Sequence, residues 1–112
     1  MNTKLLGDAG QKTAAKYLER KGYRVLEQNF LVHGGEIDII AFDAPFYVFV
    51  EVKTRSNELF GMPSEAVNAV KQQHLRKAAA VWLHKRRLDL SPCRFDVIEV
   101  RRGEVNHIEN AF

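Results

Sequence analysis

The chain contains a single cysteine, Cys93, among 112 residues. One thiol closes no intramolecular disulfide and builds no cysteine-rich zinc site. The four histidines, His33, His74, His84 and His107, are scattered without the paired spacing of a zinc centre. No apolar run approaches the ~20 residues that span a bilayer, so no membrane partner is expected. The first residues, Met1-Asn2-Thr3-Lys4-Leu5-Leu6-Gly7-Asp8, lack the apolar stretch of a signal peptide. A cytoplasmic protein is therefore expected. No segment is of low complexity, and no repeat recurs at solenoid periods.

What is present is a globular composition, 46% hydrophobic and 28% charged. The length suits one modest core and is too short for two, which predicts a single domain over residues 1–112. A net charge of +3 and a pI of about 9.2 suit an anionic partner without specifying one.

The apolar spacing predicts a helix over about Lys4 to Lys21, with Leu6, Ala14, Ala15 and Leu18 on one face and Gly22 at the C-terminal cap position. Strands follow over Tyr23–Phe30, Glu36–Phe42 and Phe46–Thr54, separated by Gly34-Gly35 and by Asp43-Ala44-Pro45. Asn57 to Met62 reads as a loop, and Pro63-Ser64-Glu65 as a helical turn. A second long helix is expected over Ala69–Lys85, with Asn68 as its N-cap. Strands over Cys93–Val100 and Val105–Ile108, joined at Arg102-Gly103, complete the chain. This order predicts an α/β domain with a mixed, mainly antiparallel central sheet flanked by helices.

Side chains alternate across a strand. Tyr47, Phe49, Glu51 and Lys53 therefore share one face, apolar at first and charged at its end. On the preceding strand Glu36 and Asp38 share a face, and Ile37 and Ile39 share the other. In an unbulged hairpin centred on Ala44-Pro45, Asp38 stands opposite Glu51, so two carboxylates and Lys53 meet in one small volume. Close carboxylates repel unless a cation neutralises them. Hard oxygen donors suit Mg²⁺ or Mn²⁺, which orient and polarise a phosphodiester and acidify an attacking water. Spacing alone favours a simpler alternative: a strand-end ion pair between Glu51 and Lys53, beside an ordinary acid near a turn. Arg55, Lys71 and the run His84-Lys85-Arg86-Arg87 are candidate phosphate contacts, with a solvated helix end as the plain alternative for the run. An arginine partner would adequately explain Asp96 on its strand.

Gly35-Glu36-Ile37-Asp38-Ile39-Ile40, followed by Phe49-Val50-Glu51-Val52-Lys53-Thr54-Arg55, resembles the YraN family of small, largely uncharacterised bacterial proteins. Those proteins are assigned to the restriction endonuclease-like superfamily. The resemblance extends through Gly7 to Leu18, Gly22-Tyr23, Asn29-Phe30, Phe60-Gly61, Glu65-Ala66-Val67, Lys71 and Arg94-Phe95-Asp96-Val97. It implies a PD-(D/E)xK core in which Asp38 and Glu51 bind the metal and Lys53 serves the attacking water. The main-chain carbonyl of Val52 is implied as a further ligand, and Glu36 is a candidate one. The implied activity is a divalent-metal-dependent endonuclease hydrolysing DNA. Similarity to archaeal junction-resolving nucleases points to branched DNA and to a homodimer. Where related sequences carry a glutamate in the first helix, this chain has Gln11, which offers a carbonyl oxygen and no charge; Asp8, one turn earlier, is a candidate substitute. That departure favours a runner-up class, a non-catalytic nucleic-acid-binding module on the nuclease fold; a third class is a protein-interaction adaptor with no nucleic-acid role.

Overall fold

A computed structural model describes residues 3–55 and 67–112, with side chains from Leu6 onward. The expected loop over Asn57–Met62 and turn at Pro63-Ser64-Glu65 lie outside the described residues. The first helix, α1, spans Thr3–Arg20. It ends in a left-handed cap at Gly22, whose φ is +100°. There the Tyr23 N–H donates to the Leu18 carbonyl at 2.9 Å and the Gly22 N–H to the Glu19 carbonyl at 3.0 Å. These paired bonds satisfy carbonyls that the helix end would otherwise leave open.

Three strands follow: β1 (Arg24–Val32), β2 (Gly35–Asp43) and β3 (Phe46–Arg55). They form an antiparallel meander through two-residue turns at His33-Gly34 and Ala44-Pro45. The second helix, α2, covers Ala69–Lys85, as its apolar spacing predicts, and Asn68 caps it by accepting the Lys71 N–H at 2.9 Å. It leads to β4 (Cys93–Arg101), which pairs parallel to β3, and then to β5 (Glu104–Ile108), antiparallel to β4. Arg102 and Gly103, both at positive φ, make the final hairpin. The strand order is β1-β2-β3-β4-β5, a mixed and mainly antiparallel sheet.

One helix covers each face of the sheet. Ala14, Ala15 and Leu18 of α1 pack on Ile39, Ala41, Val48, Val50 and Ile98. Leu75, Ala78, Ala79, Trp82 and Leu83 of α2 pack on Ile37, Ile40, Phe49, Phe95 and Val97. The central strands are thus buried on both sides, and each large side chain there contributes roughly 1.5–3 kcal/mol of burial. One sequence expectation is overturned. Ile37 and Ile39 do not share a face: Ile37 belongs to the core under α2 and Ile39 to the core under α1. The β1–β2 ladder carries the pairs Gln28–Ile39 and Phe30–Ile37, with none between Asn29 and Asp38. Asn29 has φ +54°. Simple alternation fails at that interruption.

Candidate metal centre

The β2–β3 ladder runs without a bulge from Asp43–Phe46 to Ile39–Val50. The next positions along the two strands are Asp38 and Glu51, where regular pairing stops. In place of a backbone partner, the Val52 N–H donates to Asp38 Oδ2 at 2.8 Å. The N–H and C=O of a strand residue point to the same side, so the Val52 carbonyl faces the same gap. Asp38 therefore sits where the ladder is interrupted on both sides, towards Asn29 and towards Glu51. Its carboxylate takes the Val52 N–H in the space that regular pairing leaves, with Glu51 as the neighbouring acid on β3.

Burial pushes the Asp38 carboxyl up to about 7, helped by its hydrogen bond with Glu51 and by the Glu51 charge. The Val52 N–H and the Lys71 ammonium act in the opposite direction. Glu51 itself is only 5% exposed. Its Oε2 is buried and receives no well-aligned hydrogen bond; what faces it, at 3.0 Å, is the Nζ of Lys71 from the first turn of α2. Two acids thus share a poorly solvated pocket, and a lysine from another element balances them in part.

A cleft of about 510 Å³ opens between these strand ends and the first half of α1. Glu36, Asp38, Val52 and Lys53 line one wall; Asp8 and Gln11 line the other. Glu36 is exposed. Gln11 points its amide nitrogen at Gln28 Oε1, 3.0 Å away on β1. A neighbouring hollow of about 600 Å³ shares Asp8, Gln11 and Asn29 with the cleft and carries Lys12 and Lys16. The two candidate phosphate contacts have protein partners. Arg55 donates from Nε to Glu99 Oε2 at 3.0 Å, Glu99 being fully buried, and Lys71 is held by Glu51. In the later basic run, Arg86 bonds Glu27 at 2.7 Å and lies over the Trp82 ring, while His84 meets Asp89 at 2.9 Å.

A second group lay beyond sequence reasoning. Asp96, His107 and Glu109 bring three potential ligand atoms within 4.8 Å of one another. The donors around Asp96 are already committed, however. Arg94 reaches Oδ1 and Oδ2 at 2.9 and 3.0 Å, the Asn110 N–H reaches Oδ1 at 3.0 Å, and His107 Nε2 lies 2.7 Å from Oδ2. A metal there would displace these partners and face the Arg94 guanidinium. This is a buried ion-pair knot, and the arginine partner expected for Asp96 is Arg94. His107 could be found only through the fold, because β5 brings it to β4.

The fold and the gap at Asp38 define an open α/β sheet domain with a nuclease-like core, whose acidic cleft lies at the adjoining ends of β2 and β3. The chain belongs to the uncharacterised protein family UPF0102, whose family model matches residues 10–100; this is the YraN family that the sequence motifs resemble. It is 47% identical over 117 residues to a UPF0102 protein of Geobacter metallireducens, covering 100% of this chain and 95% of that one. A UPF0102 protein of Caldanaerobacter subterraneus subsp. tengcongensis is also 47% identical, over 119 residues and 98% of its length. One from Clostridioides difficile is 47% identical over the full length of both chains.

Proposed function

We propose that this protein is a divalent-metal-dependent nuclease that hydrolyses phosphodiester bonds in DNA. The observation that carries the reading is the Asp38–Glu51 pair: neighbouring carboxyls at the end of the β2–β3 ladder, one oriented by the Val52 N–H and the other bearing a buried oxygen without a well-aligned donor. Such a pair fits a hard cation with oxygen ligands. Asp38 and Glu51 would hold Mg²⁺ or Mn²⁺, with the Val52 carbonyl as a third donor and Glu36 at the cleft mouth. The bound ion would supply Lewis-acid polarisation of the phosphate and an acidified water.

The remaining roles fall to the chain's own groups. The Val52 N–H fixes the orientation of the Asp38 carboxylate, so that ligand is positioned before any substrate arrives. Lys53, on the same cleft wall, holds the attacking water or the developing charge on the phosphate. Gln11 faces them from α1 and offers neutral amide contacts only. Lys12 and Lys16 stand in the adjoining hollow with Asp8 and Glu19 and offer ammonium groups to a phosphate backbone.

The test is cleavage by purified protein of linear, nicked, flapped and four-way DNA, with RNA in parallel, in Mg²⁺ or Mn²⁺. Asp38→Ala and Lys53→Ala should each lower cleavage about a hundredfold or more while leaving the circular dichroism spectrum unchanged. Equal cleavage by both variants would refute the assignment. The neutral Gln11 favours a second reading, a nucleic-acid-binding module without catalysis. Salt-sensitive DNA binding with no cleavage of any substrate would select it.

A further inference from the structure

Lys71 occupies an unusual place. It stands in the first turn of α2, a turn with no acidic side chain, at the helix end where the backbone dipole disfavours a cation. Its stem is partly exposed, the side chain retaining 44% of its accessible surface, yet its ammonium reaches inward to Glu51 Oε2 at 3.0 Å. That oxygen is buried and has no other donor of good geometry. An exposed lysine gains little from a surface ion pair, so the inward reach reflects the uncompensated charge of the acid pair.

We infer that Lys71 is a built-in counterion: its ammonium neutralises Glu51 in the metal-free protein and is displaced when a divalent cation binds between Glu51 and Asp38. The inference rests on the proposed metal site and adds its regulation. A divalent cation and the ammonium compete for the same oxygen, and the long, solvent-accessible stem lets the lysine leave without unfolding α2. Once released, the ammonium stands in the first turn of α2, near Asp38, where helix dipole and side chain together favour an anion. A phosphate of the nucleic acid is the anion that fits. Lys71 would thus serve Glu51 before the metal arrives and the substrate afterwards, a positioning residue that makes acidic-site stability and metal binding mutually exclusive uses of one group.

Two measurements test this without relying on turnover. Mn²⁺ binding is followed by electron paramagnetic resonance for the wild type, Lys71→Met and Asp38→Asn. A crystal structure of the wild type is determined with Mn²⁺. Lys71→Met should bind Mn²⁺ about tenfold more tightly, Asp38→Asn should lose binding, and in the Mn²⁺-bound crystal the Lys71 Nζ should stand beyond hydrogen-bond reach of Glu51. Mn²⁺ bound at Asp38 with Nζ still against Glu51, or unchanged affinity in Lys71→Met, would overturn the counterion role and leave the metal site standing. Binding that Asp38→Asn does not weaken, or no binding by the wild type and Lys71→Met alike, would overturn the metal site itself and the inference with it. Should Lys71→Met fail to fold, the wild-type crystal still decides the question.

Discussion

The Asp38 carboxyl shows how strongly a single position is shaped by its surroundings. Burial and Glu51 push it up to about 7 from an ordinary 3.8, so the metal-free folded state keeps a proton that the unfolded chain has lost. Between roughly pH 4 and pH 7 the native state then binds more protons than the unfolded state, and stability falls as pH rises. Each pH unit of displacement is worth about 1.4 kcal/mol, so the effect reaches at most a few kcal/mol. Asp96 and Glu109 act oppositely. Their pKa values are held below the ordinary range, Asp96 by His107 and Arg94 against its burial and Glu109 by the Tyr23 hydroxyl. The stability they contribute is present above about pH 4 and is lost as pH falls below it. Urea unfolding of metal-free protein from pH 4 to pH 8 should therefore show a decline that Asp38→Asn removes. Parallel declines in the two proteins would assign the titration to another group.

Among the secondary elements, α1 carries an internal contrast. Gly7 and Gly10 sit one turn apart on the same helix, and glycine weakens a helix interior by about 1 kcal/mol relative to alanine. A Cβ at Gly7 meets nothing within 4 Å, whereas a Cβ at Gly10 would lie against the Thr54 Oγ1, with Thr54 Cβ and Cγ2 both at 3.2 Å. Gly10 is therefore a point of close approach between α1 and Thr54 of β3, one residue beyond Lys53. Gly7→Ala should raise the unfolding free energy by up to about 1 kcal/mol. Gly10→Ala should lower it despite the better helix propensity, because α1 must lift from the sheet. A stabilising Gly10→Ala in denaturant titrations would mean that Thr54 yields and that the close packing is dispensable. The same lift would widen the cleft, since Gln11 and Asp8 ride on this helix.

Across the whole molecule, the knot around Asp96 joins segments far apart in sequence. Arg94 bonds Asp96, Asp43, Tyr23 and Glu109; His107 adds Tyr17 and Lys21 of α1 and its cap. It locks the segment after β5 and the C-terminal end of α1 to β4. A buried carboxylate deprived of its partner is costly. Arg94→Leu should destabilise the protein by about 3 kcal/mol or more, seen as a lowered midpoint in thermal and chemical unfolding, and Mn²⁺ should not restore it. A loss under 1 kcal/mol would show that His107 and the Asn110 N–H suffice to neutralise Asp96.

Much of this architecture is legible in the amino-acid order because it rests on local rules. Period-two and helical apolar spacings, Gly22, Asn68 and the Ala44-Pro45 turn mark the two helices and five strands of the described residues to within a residue or two. An unbulged hairpin about Ala44-Pro45 also sets the register that makes Asp38 and Glu51 neighbours. Three things needed the folded chain. The interruption at Asn29 and Asp38, which sends Ile37 and Ile39 to different cores, follows from a left-handed backbone at an asparagine that strand patterning does not register. The placement of Lys71 against Glu51, and of Arg55 against Glu99, depends on how α2 and β4 pack beside β3, a long-range choice that no spacing within one strand contains. The same holds for Asp38: its residue type and strand were readable, while the burial and the neighbouring Glu51 that raise its carboxyl exist only once β1, β2, β3 and α2 have come together.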